Sequence, residues 1–342
     1  MRLSYRLPLL GLCAIVAALH TDRAEADAVA DFYRGKTVNV IVGYSAGGGY
    51  DLYARALARH MGKHLPGNPN FIVQNITGAG SLNAANNLYN VAPKDGTSFG
   101  TFARGLAIEP LIGTAKVQFE ATKFTWLGSG SNEISICATW HTSLVKTWAD
   151  ALKSSFAVGG EGAGSDPDTY AALIRNVFGA KLKLVTGYHG TSDIVLAIER
   201  GEVDGRCGWS WSSIKSTRAA WIPEKKLNYI VHISEQKAPE LTHIPTVSEF
   251  ANDRQKQMLK LVTSRQVMGR PFAAPPAVPA DRKQALRKAF DETLKDAAFL
   301  EEADKLKLEV NPVSGAEIDA LIADLYRTPK DIVDDARKAI AP

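Results

Sequence analysis

The sequence has little cysteine and none of the short spacings that usually mark a metal site. Three cysteines occur in 342 residues, and no Cys-x-x-Cys, His-Glu-x-x-His or His-x-His pattern is present. His60 and His64 are four residues apart, but Gly62 between them indicates a helix end. Both are therefore interpreted as surface histidines. The sequence predicts no metal ion and no other cofactor.

Positive charge is in only slight excess and is scattered along the chain. The 40 lysines and arginines stand against 36 acids, which gives a formal net charge of +4. No stripe of basic residues is present, so the sequence gives no indication of nucleic-acid binding. Hydrophobic residues make up 45% of the chain, and its length is enough for two lobes that each bury a core.

Long hydrophobic runs are missing except for one near the start of the chain. Residues 7–18 are apolar but too few to cross a bilayer. They follow Arg2 and Arg6 and precede a small-x-small cleavage pattern at residues 24–26. This predicts a signal peptide over residues 1–26 and export to the periplasm. A buried helix or an uncut anchor is the alternative interpretation.

Two cysteines, Cys137 and Cys207, remain after the predicted cleavage. An exported protein can form a disulfide, and both residues fall in the same predicted lobe. Two separate small residues buried on strands are an equally good interpretation. The sequence leaves both alternatives open.

Strand-like and helix-like segments alternate along the mature chain. Residues 38–42 form a β-branched run that ends before a glycine cluster, and an apolar face then recurs at helical spacing from about Asp51 to Gly62. The same order recurs through residues 71–102 and through residues 156–209. Strand–helix–strand repeats with short connections predict an α/β protein whose parallel sheets are covered by helices.

The last part of the chain is mostly helical and needs a sheet to pack on. Residues 281–300 and 316–340 have helical patterns, and the simplest arrangement returns them to the first sheet. We therefore predict a discontinuous lobe I (residues 27–127 and 240–342) and a contiguous lobe II (residues 128–239). Crossings between the lobes are expected near residues 125–131 and 233–244.

Two glycine-rich loops, residues 44–51 and 159–166, each join a strand to a helix. Glycine lets the backbone approach a ligand, and the first turn of a helix offers unpaired N–H groups with partial positive charge. Such corners bind anions, and ligands of open α/β sheets bind at the carboxyl ends of the strands. The alternative is a tight corner in which Asp51 and Asp166 only cap their own helices.

Candidate ligand-binding residues come from these loops and from neighbouring strand ends. Arg104 follows a strand, and its guanidinium suits a carboxylate, although a surface arginine is the alternative. Trp209 ends another strand and is either a pocket wall or core packing. A third loop, residues 187–191, also joins a strand to a helix. The three loops contribute Tyr44, Ser45, Ala46, Gly47, Gly48 and Asp51, then Gly162, Ala163, Ser165, Asp166 and Thr169, and finally His189, Gly190 and Thr191.

The segment Gly43-Tyr44-Ser45-Ala46-Gly47 also matches the G-x-S-x-G nucleophile elbow of serine hydrolases. It predicts, as a second possibility, an exported hydrolase with Ser45 as nucleophile. However, Ser45 follows the first strand of the mature chain, so no earlier loop is available to form an oxyanion hole. No later aspartate and histidine are marked as partners either. Binding without catalysis is the preferred interpretation.

Seven short segments occur in a recognisable order. They are FYRGKTV (32–38), VGYSAGGGYD (42–51), VQNITGAGSL (73–82), APKDG (92–96), GYHG (187–190), GEVD (201–204) and IPTVSE (244–249). Together they resemble the periplasmic solute receptors of tripartite tricarboxylate transporters, the Bug or TctC-like family. The resemblance covers nearly all of the mature chain.

The resemblance implies a two-lobed fold of periplasmic-binding-protein type II, a Venus flytrap, in which each lobe is a sheet flanked by helices. It implies a small organic carboxylate held by backbone amides and ordered water from residues 46–48, 162–169 and 190–192. Asp204 falls at an acidic position of the family. The implied partners are the membrane permease subunits of the transporter, and a monomer is expected. A ligand sensor for a signalling receptor would have the same sequence features.

The chain also departs from the family pattern around the predicted site. Tyr44 and Tyr50 stand where small, polar or proline residues are common, and Arg104 stands where small polar residues are common. Asp166 and Asp168 replace serines, threonines and a histidine. These departures indicate a solute of its own, with larger or aromatic acids as candidates.

Overall fold

The computed structural model describes residues 27–113 and 115–342. The predicted signal peptide lies outside these residues. Eleven strands form two sheets in the described part of the chain. The strands are β1 (Thr37–Val42), β2 (Asn70–Asn75), β3 (Ser98–Thr101), β4 (Thr125–Ser129), β5 (Ser135–Trp140), β6 (Phe156–Gly159), β7 (Leu182–Val185), β8 (Gly205–Ser210), β9 (Leu227–His232), β10 (Pro271–Ala274) and β11 (Val313–Ser314).

Helices flank both sheets. A helix at residues 27–33 precedes β1. The other α-helices are α1 (Gly49–Met61), α2 (Leu82–Asn90), α3 (Glu109–Ile112), α4 (Trp148–Ala151), α5 (Asp166–Phe178), α6 (Thr191–Glu199), α7 (Trp211–Thr217), α8 (Asp253–Thr263), α9 (Ala280–Thr293), α10 (Ala297–Lys305), α11 (Gly315–Leu325) and α12 (Lys330–Ala339). None of these helices is both long and apolar enough to span a membrane.

The two sheets define a first lobe and a second lobe. The first sheet has the strand order β11-β4-β10-β3-β1-β2, and the second has the order β7-β6-β8-β5-β9. In each lobe the strands of the strand–helix repeats pair in parallel, as in β1 with β2 and β3. Strands β4, β5, β9, β10 and β11 take part in antiparallel pairs. The prediction of an α/β fold with two helix-flanked sheets is confirmed, and both sheets are mixed rather than purely parallel.

Strand β1 shows why the first sheet is covered on both faces. Val38, Val40 and Val42 point to one face and pack with α1 and α9. Ile41 points to the other face and packs with α2. Side chains alternate between the two faces of a strand, so a run of β-branched residues fills both layers at once.

The end of the chain differs from the expectation. Helices α9 and α11 pack against β4 in the first sheet, as expected, but α12 contacts α3, α5 and α8. Its apolar residues Ile332, Val333 and Ala336 join the core of the second lobe. Arg254 of α8 also binds the carboxylates of Asp331 and Asp335. Helix α12 therefore belongs with the second sheet.

The second crossing also lies later than expected. Val247, Leu259 and Val262 are buried in the core of the second lobe, which keeps the chain in that lobe through α8. The chain returns to the first sheet between α8 and β10, over residues 264–270. The first crossing, between β4 and β5 at residues 130–134, overlaps the predicted segment.

Cys137 and Cys207 form a disulfide in the core of the second lobe. Cys137 lies on β5 and Cys207 on the adjacent antiparallel strand β8, and both are buried. Of the two alternatives that the sequence left open, the structure has the disulfide.

Removal of this disulfide should destabilise the protein. The bond joins residues 70 positions apart, and a cross-link over a loop of this size is typically worth about 2–4 kcal/mol. We expect Cys137→Ala/Cys207→Ala to lower the free energy of unfolding by that amount in urea titrations monitored by circular dichroism. Wild-type protein treated with a reductant should show a comparable loss. Equal stability of the oxidised, reduced and double-variant proteins would contradict the structural role.

Candidate functional site

A small cavity of about 20 Å³, enough for about one water molecule, lies where the two lobes meet. Residues of the first lobe that line it are Tyr44, Gly48, Gly49, Tyr50 and Ala103. Residues of the second lobe that line it are Glu161, Asp166, Pro167, Thr191, Arg206, Gly208 and Ser210. The glycine loops predicted from the sequence thus face each other across this cavity, at the carboxyl ends of β1 and β6.

The amides of both glycine loops are already bound by carboxylates of the chain itself. Gly47 N donates to Asp51 Oδ2 at 2.9 Å. Glu161 N and Gly162 N donate to Asp168 Oδ2 at 2.6 and 2.9 Å. In each loop the partner is an aspartate from the first turn of the helix that follows, which is close to the alternative of a tight corner served by its own helix. In this closed arrangement the amides of Gly47 and Gly162 serve internal carboxylates.

Asp51 organises the first loop and the start of α1. Besides Gly47, its carboxylate binds Arg55 Nε at 2.9 Å and Asn75 Nδ2 at 2.9 Å. Burial acts to raise the pKa of Asp51, but the hydrogen bonds from Arg55, Gly47 and Asn75 outweigh it and hold the pKa below its usual value. Asp51 is therefore a buried, ionised anchor of the loop.

Backbone contacts join the loops directly across the cleft. Ser45 N donates to the carbonyl oxygen of His189 at 3.1 Å, and Gly80 N donates to that of Glu161 at 2.8 Å. Ser192 Oγ donates to the carbonyl oxygen of Ala46 at 3.2 Å. A Cβ atom on Gly80 would lie 2.8 Å from the carbonyl oxygen of Gly162, so only glycine permits this approach. The lobes are closed.

Arg104 and Asp166 form an ion pair between the lobes. Arg104 follows β3 in the first lobe and is 1% exposed. Its Nε donates to Asp166 Oδ2 at 2.7 Å, and its Nη2 donates to Ser135 Oγ at 2.9 Å. Arg104 therefore lies in the cleft as predicted, but its partner in this arrangement is a carboxylate of the opposite lobe.

A second buried pair lies entirely within the second lobe. Arg206 Nη1 is 2.7 Å from Glu161 Oε1 and donates to Thr191 Oγ1 at 3.1 Å. Burial raises the pKa of Glu161 even though Arg206 acts in the opposite direction. Three atoms of the cavity-lining residues, Glu161 Oε1, Asp166 Oδ1 and Arg206 Nε, are buried without a hydrogen-bond partner among the described residues. Arg265 Nη1 lies 3.9 Å from Asp166 Oδ1.

The crossing segment, residues 264–270, adds two more buried arginines, Arg265 and Arg270. Arg270 Nη2 donates to Ser212 Oγ at 3.1 Å and Ser213 Oγ at 2.8 Å, and lies 3.0 Å from Glu133 Oε1. Its guanidinium also lies 4.8 Å from the ring centre of Tyr50. These bonds connect the start of β10 to the second lobe, directly behind the cavity.

Other candidates have structural positions. Ser165 Oγ donates to Asp168 at 2.9 Å, and Thr169 Oγ1 accepts from Arg265 at 3.3 Å. Ala163 is at the exposed rim of the cleft. Asp204 accepts from Ala157 N at 2.8 Å and so joins the start of β8 to β6.

The prediction that Trp209 lines the ligand pocket is wrong. Trp209 lies in the apolar core of the second lobe and not in the wall of the cavity. Side chains alternate along β8, so Ser210 faces the cavity while the indole faces inward.

The hydrolase alternative finds no support in the geometry of Ser45. Its hydroxyl is buried and has no hydrogen-bond partner among the described residues. His189 contributes only its backbone carbonyl, and its side chain is exposed. Within residues 27–113 and 115–342, no imidazole is bonded to the hydroxyl, as a nucleophile–base pair requires.

Sequence reasoning missed Glu161 and Arg206. From the sequence alone, Glu161 is only one member of a glycine-rich loop, and Arg206 is only one member of a predicted strand. A signal was available for both, since a charged residue inside a tight glycine loop or inside a buried strand needs a partner. Gly160-Glu161-Gly162 and Gly205-Arg206-Cys207 each have this form.

No family model matches the chain. Three known proteins are similar to it. A Cupriavidus necator protein, "UPF0065 protein in gbd 5'region", is 26% identical over 257 residues, which cover 70% of this chain and 72% of the relative. The structure of the periplasmic binding protein BugD superposes with a TM-score of 0.70 at 20% identity, and covers 90% of this chain and 98% of BugD.

A third similar protein is MatC from Rhodopseudomonas palustris, whose structure contains bound malate. It superposes with a TM-score of 0.67 at 18% identity, and covers 89% of this chain and 99% of MatC. The likenesses to BugD and MatC extend over about nine tenths of the chain. The resemblance found in the sequence is therefore confirmed, and the chain is similar in its two-lobed architecture to the periplasmic binding proteins of the Bug and TctC type.

Proposed function

We propose that the protein is an exported solute-binding protein that captures a small organic carboxylate between its two lobes. It would work in the periplasm and present the solute to the permease subunits of a tripartite tricarboxylate-type membrane transporter. The observation that carries the proposal is the polar interface between the two closed lobes, where charged and polar groups of both lobes surround a small cavity, with Arg104 and Arg206 in or beside its wall. No chemical step is required of it.

The contacts across the cleft supply a physical basis for capture and release. Ser45 with His189, Gly80 with Glu161, and Arg104 with Asp166 can form only when the lobes are closed. A solute that binds groups of both lobes makes further contacts that exist only in the closed form. It therefore shifts the population toward that form. Closure then creates the surface that a transporter can recognise.

The similar structures support an organic acid as the solute. The MatC structure contains malate, a small carboxylate, and has the same fold. Guanidinium groups and the first turns of helices are the donors that carboxylates prefer in proteins. Both kinds of donor occur at this cavity, from Arg206 and from α1 at Gly48 and Gly49.

Solute binding should raise the melting temperature of the purified mature protein. We expect one or more of a panel of carboxylates to do so, among them malate, succinate, adipate and the amino acids of matching length. A solute at 100 times its dissociation constant should stabilise the folded protein against unfolding by about 2.7 kcal/mol. Differential scanning fluorimetry measures the shift, and mass spectrometry of protein stripped under denaturing conditions identifies any co-purified acid. No shift together with no co-purified solute would contradict the proposal.

Arg104→Met should weaken the binding of whichever solute is found. Without Arg104, closure would bury Asp166 without its main partner, and leaving such a charge unpaired is costly. We expect a loss of roughly 1.5–3 kcal/mol, the range for hydrogen bonds to charged groups, measured by isothermal titration calorimetry. Arg200→Met is the matched control, because Arg200 is largely exposed in the same protein. Equal affinities of both variants would remove Arg104 from the closing mechanism.

A further inference from the structure

A second and much larger cavity, the hinge pocket, lies at the segments that connect the lobes. Its volume is about 590 Å³. Residues 132–134 of the first crossing, residues 264, 266 and 267 of the second crossing, and residues 328 and 329 between α11 and α12 line it. Because α11 packs on the first sheet and α12 joins the core of the second lobe, the connection between them is a third crossing. In the described part of the chain, the three crossings thus border one pocket.

The hinge pocket lies behind the crossings, on the side away from the glycine loops. Among the described residues, none lines both this pocket and the small cavity between the loops. In the second crossing, Arg265 points toward the loops and its Nη1 donates to Thr169 Oγ1 at 3.3 Å. The neighbouring residues Ser264 and Gln266 line the hinge pocket instead. The crossings therefore separate the two spaces.

The walls of the hinge pocket come from different lobes. Helix α11 packs its Ile322 into the core of the first lobe and lines the pocket with Leu321. Helix α8 of the second lobe lines it with Leu261. The two walls meet at the end of α11, where Leu325 is buried in the core of the second lobe. Between them, Val267 of the second crossing is 45% exposed.

An opening of the glycine loops would narrow the hinge pocket. Hinge motions rotate one lobe against the other at a few connecting residues, and a rotation that separates the lobes in front of the crossings brings them together behind. The approach would bury apolar groups such as Val267 and supply contacts to walls that now face empty space. The open form thus gains contacts behind the crossings while it loses those between the loops.

We propose that the hinge pocket controls the balance between the open and the closed form: it must narrow for the lobes to open, so that whatever fills it holds the lobes closed. This inference rests on the hinge motion of the proposed function. The apparent affinity for a solute scales with the fraction of molecules in the binding-competent form. Filling the pocket would therefore raise solute affinity without any new contact to the solute.

Tryptophan side chains placed in the pocket test this control. Gln257→Trp on α8 and Asp324→Trp on α11 add bulk at exposed positions of the lining. Lys256→Trp and Ala323→Trp are the matched controls, because they place the same side chain at the adjacent exposed positions, outside the lining. Each variant is made in the mature protein and again together with Arg104→Met, which removes the ion pair that joins the closed lobes.

Double electron–electron resonance between two spin labels measures the separation of the lobes. The labels are attached to Val91→Cys, directly after α2, and to Leu196→Cys on α6, at positions that are 73% and 46% exposed. Cys137 and Cys207 are bonded to each other and take no label. Helices α2 and α6 each begin beside a hydrogen bond that crosses the cleft, so the distance between the labels increases when the lobes open.

We expect the Arg104→Met protein to contain a long-distance population. Either pocket tryptophan should reduce that population at least about threefold relative to its control, and the controls should match their parent proteins. Long-distance populations that are equal in the pocket variants and in their controls would overturn the inference. A single, unchanged distance in every protein would overturn it as well, because the pocket would then have no motion to control.

Solute binding is measured separately, through the melting temperature with the panel of carboxylates. If a carboxylate binds but the pocket tryptophans behave like their controls, the control by the hinge pocket is refuted and the solute-binding function remains. If the tryptophans shift the distances but no carboxylate binds and no solute co-purifies, the hinge pocket is supported and the solute-binding function fails.

Discussion

The ion pair between Arg104 and Asp166 is the interaction on which the closed structure most depends. It joins the end of β3 in the first lobe to the start of α5 in the second, with the guanidinium fully enclosed. A buried charge without its partner is unfavourable by several kcal/mol. Separation of the lobes hydrates both groups, whereas closure requires them to meet in the correct geometry. The pair therefore makes closure sensitive to small displacements of either loop.

In both glycine loops, backbone amides that could bind an external anion instead bind carboxylates of the chain itself. Asp51 and Asp168 bind amides that, in a simpler site, would be free for a solute. The loops gain rigidity because each carboxylate also binds a neighbouring side chain, Arg55 or Ser165. Unused hydrogen-bonding capacity remains elsewhere around the cavity, at Arg206 Nε and Asp166 Oδ1.

The fold was predictable from the sequence where local patterns determine it. The β-branched run at β1 and the glycine cluster after it mark a strand and the loop that follows, and the structure has both. The destination of α12 was not predictable, because an amphipathic helix shows which face is buried but not which sheet buries it. The positions of the two glycine loops were also predictable, because each is marked by a local cluster of glycines directly after a strand. The pairing of Arg104 with Asp166 was not, since it depends on how two lobes meet.

The disulfide has a mechanical consequence for the closing motion of the proposed function. It joins β5, the first strand after the crossing from the first lobe, to β8, the strand that carries Arg206. Any rotation at the crossing is thus transmitted through a covalent bond to the wall of the cavity. The second lobe can then rotate as a rigid body, without sliding of one strand past another. Arg206 would therefore reach the opposite loops in a fixed orientation.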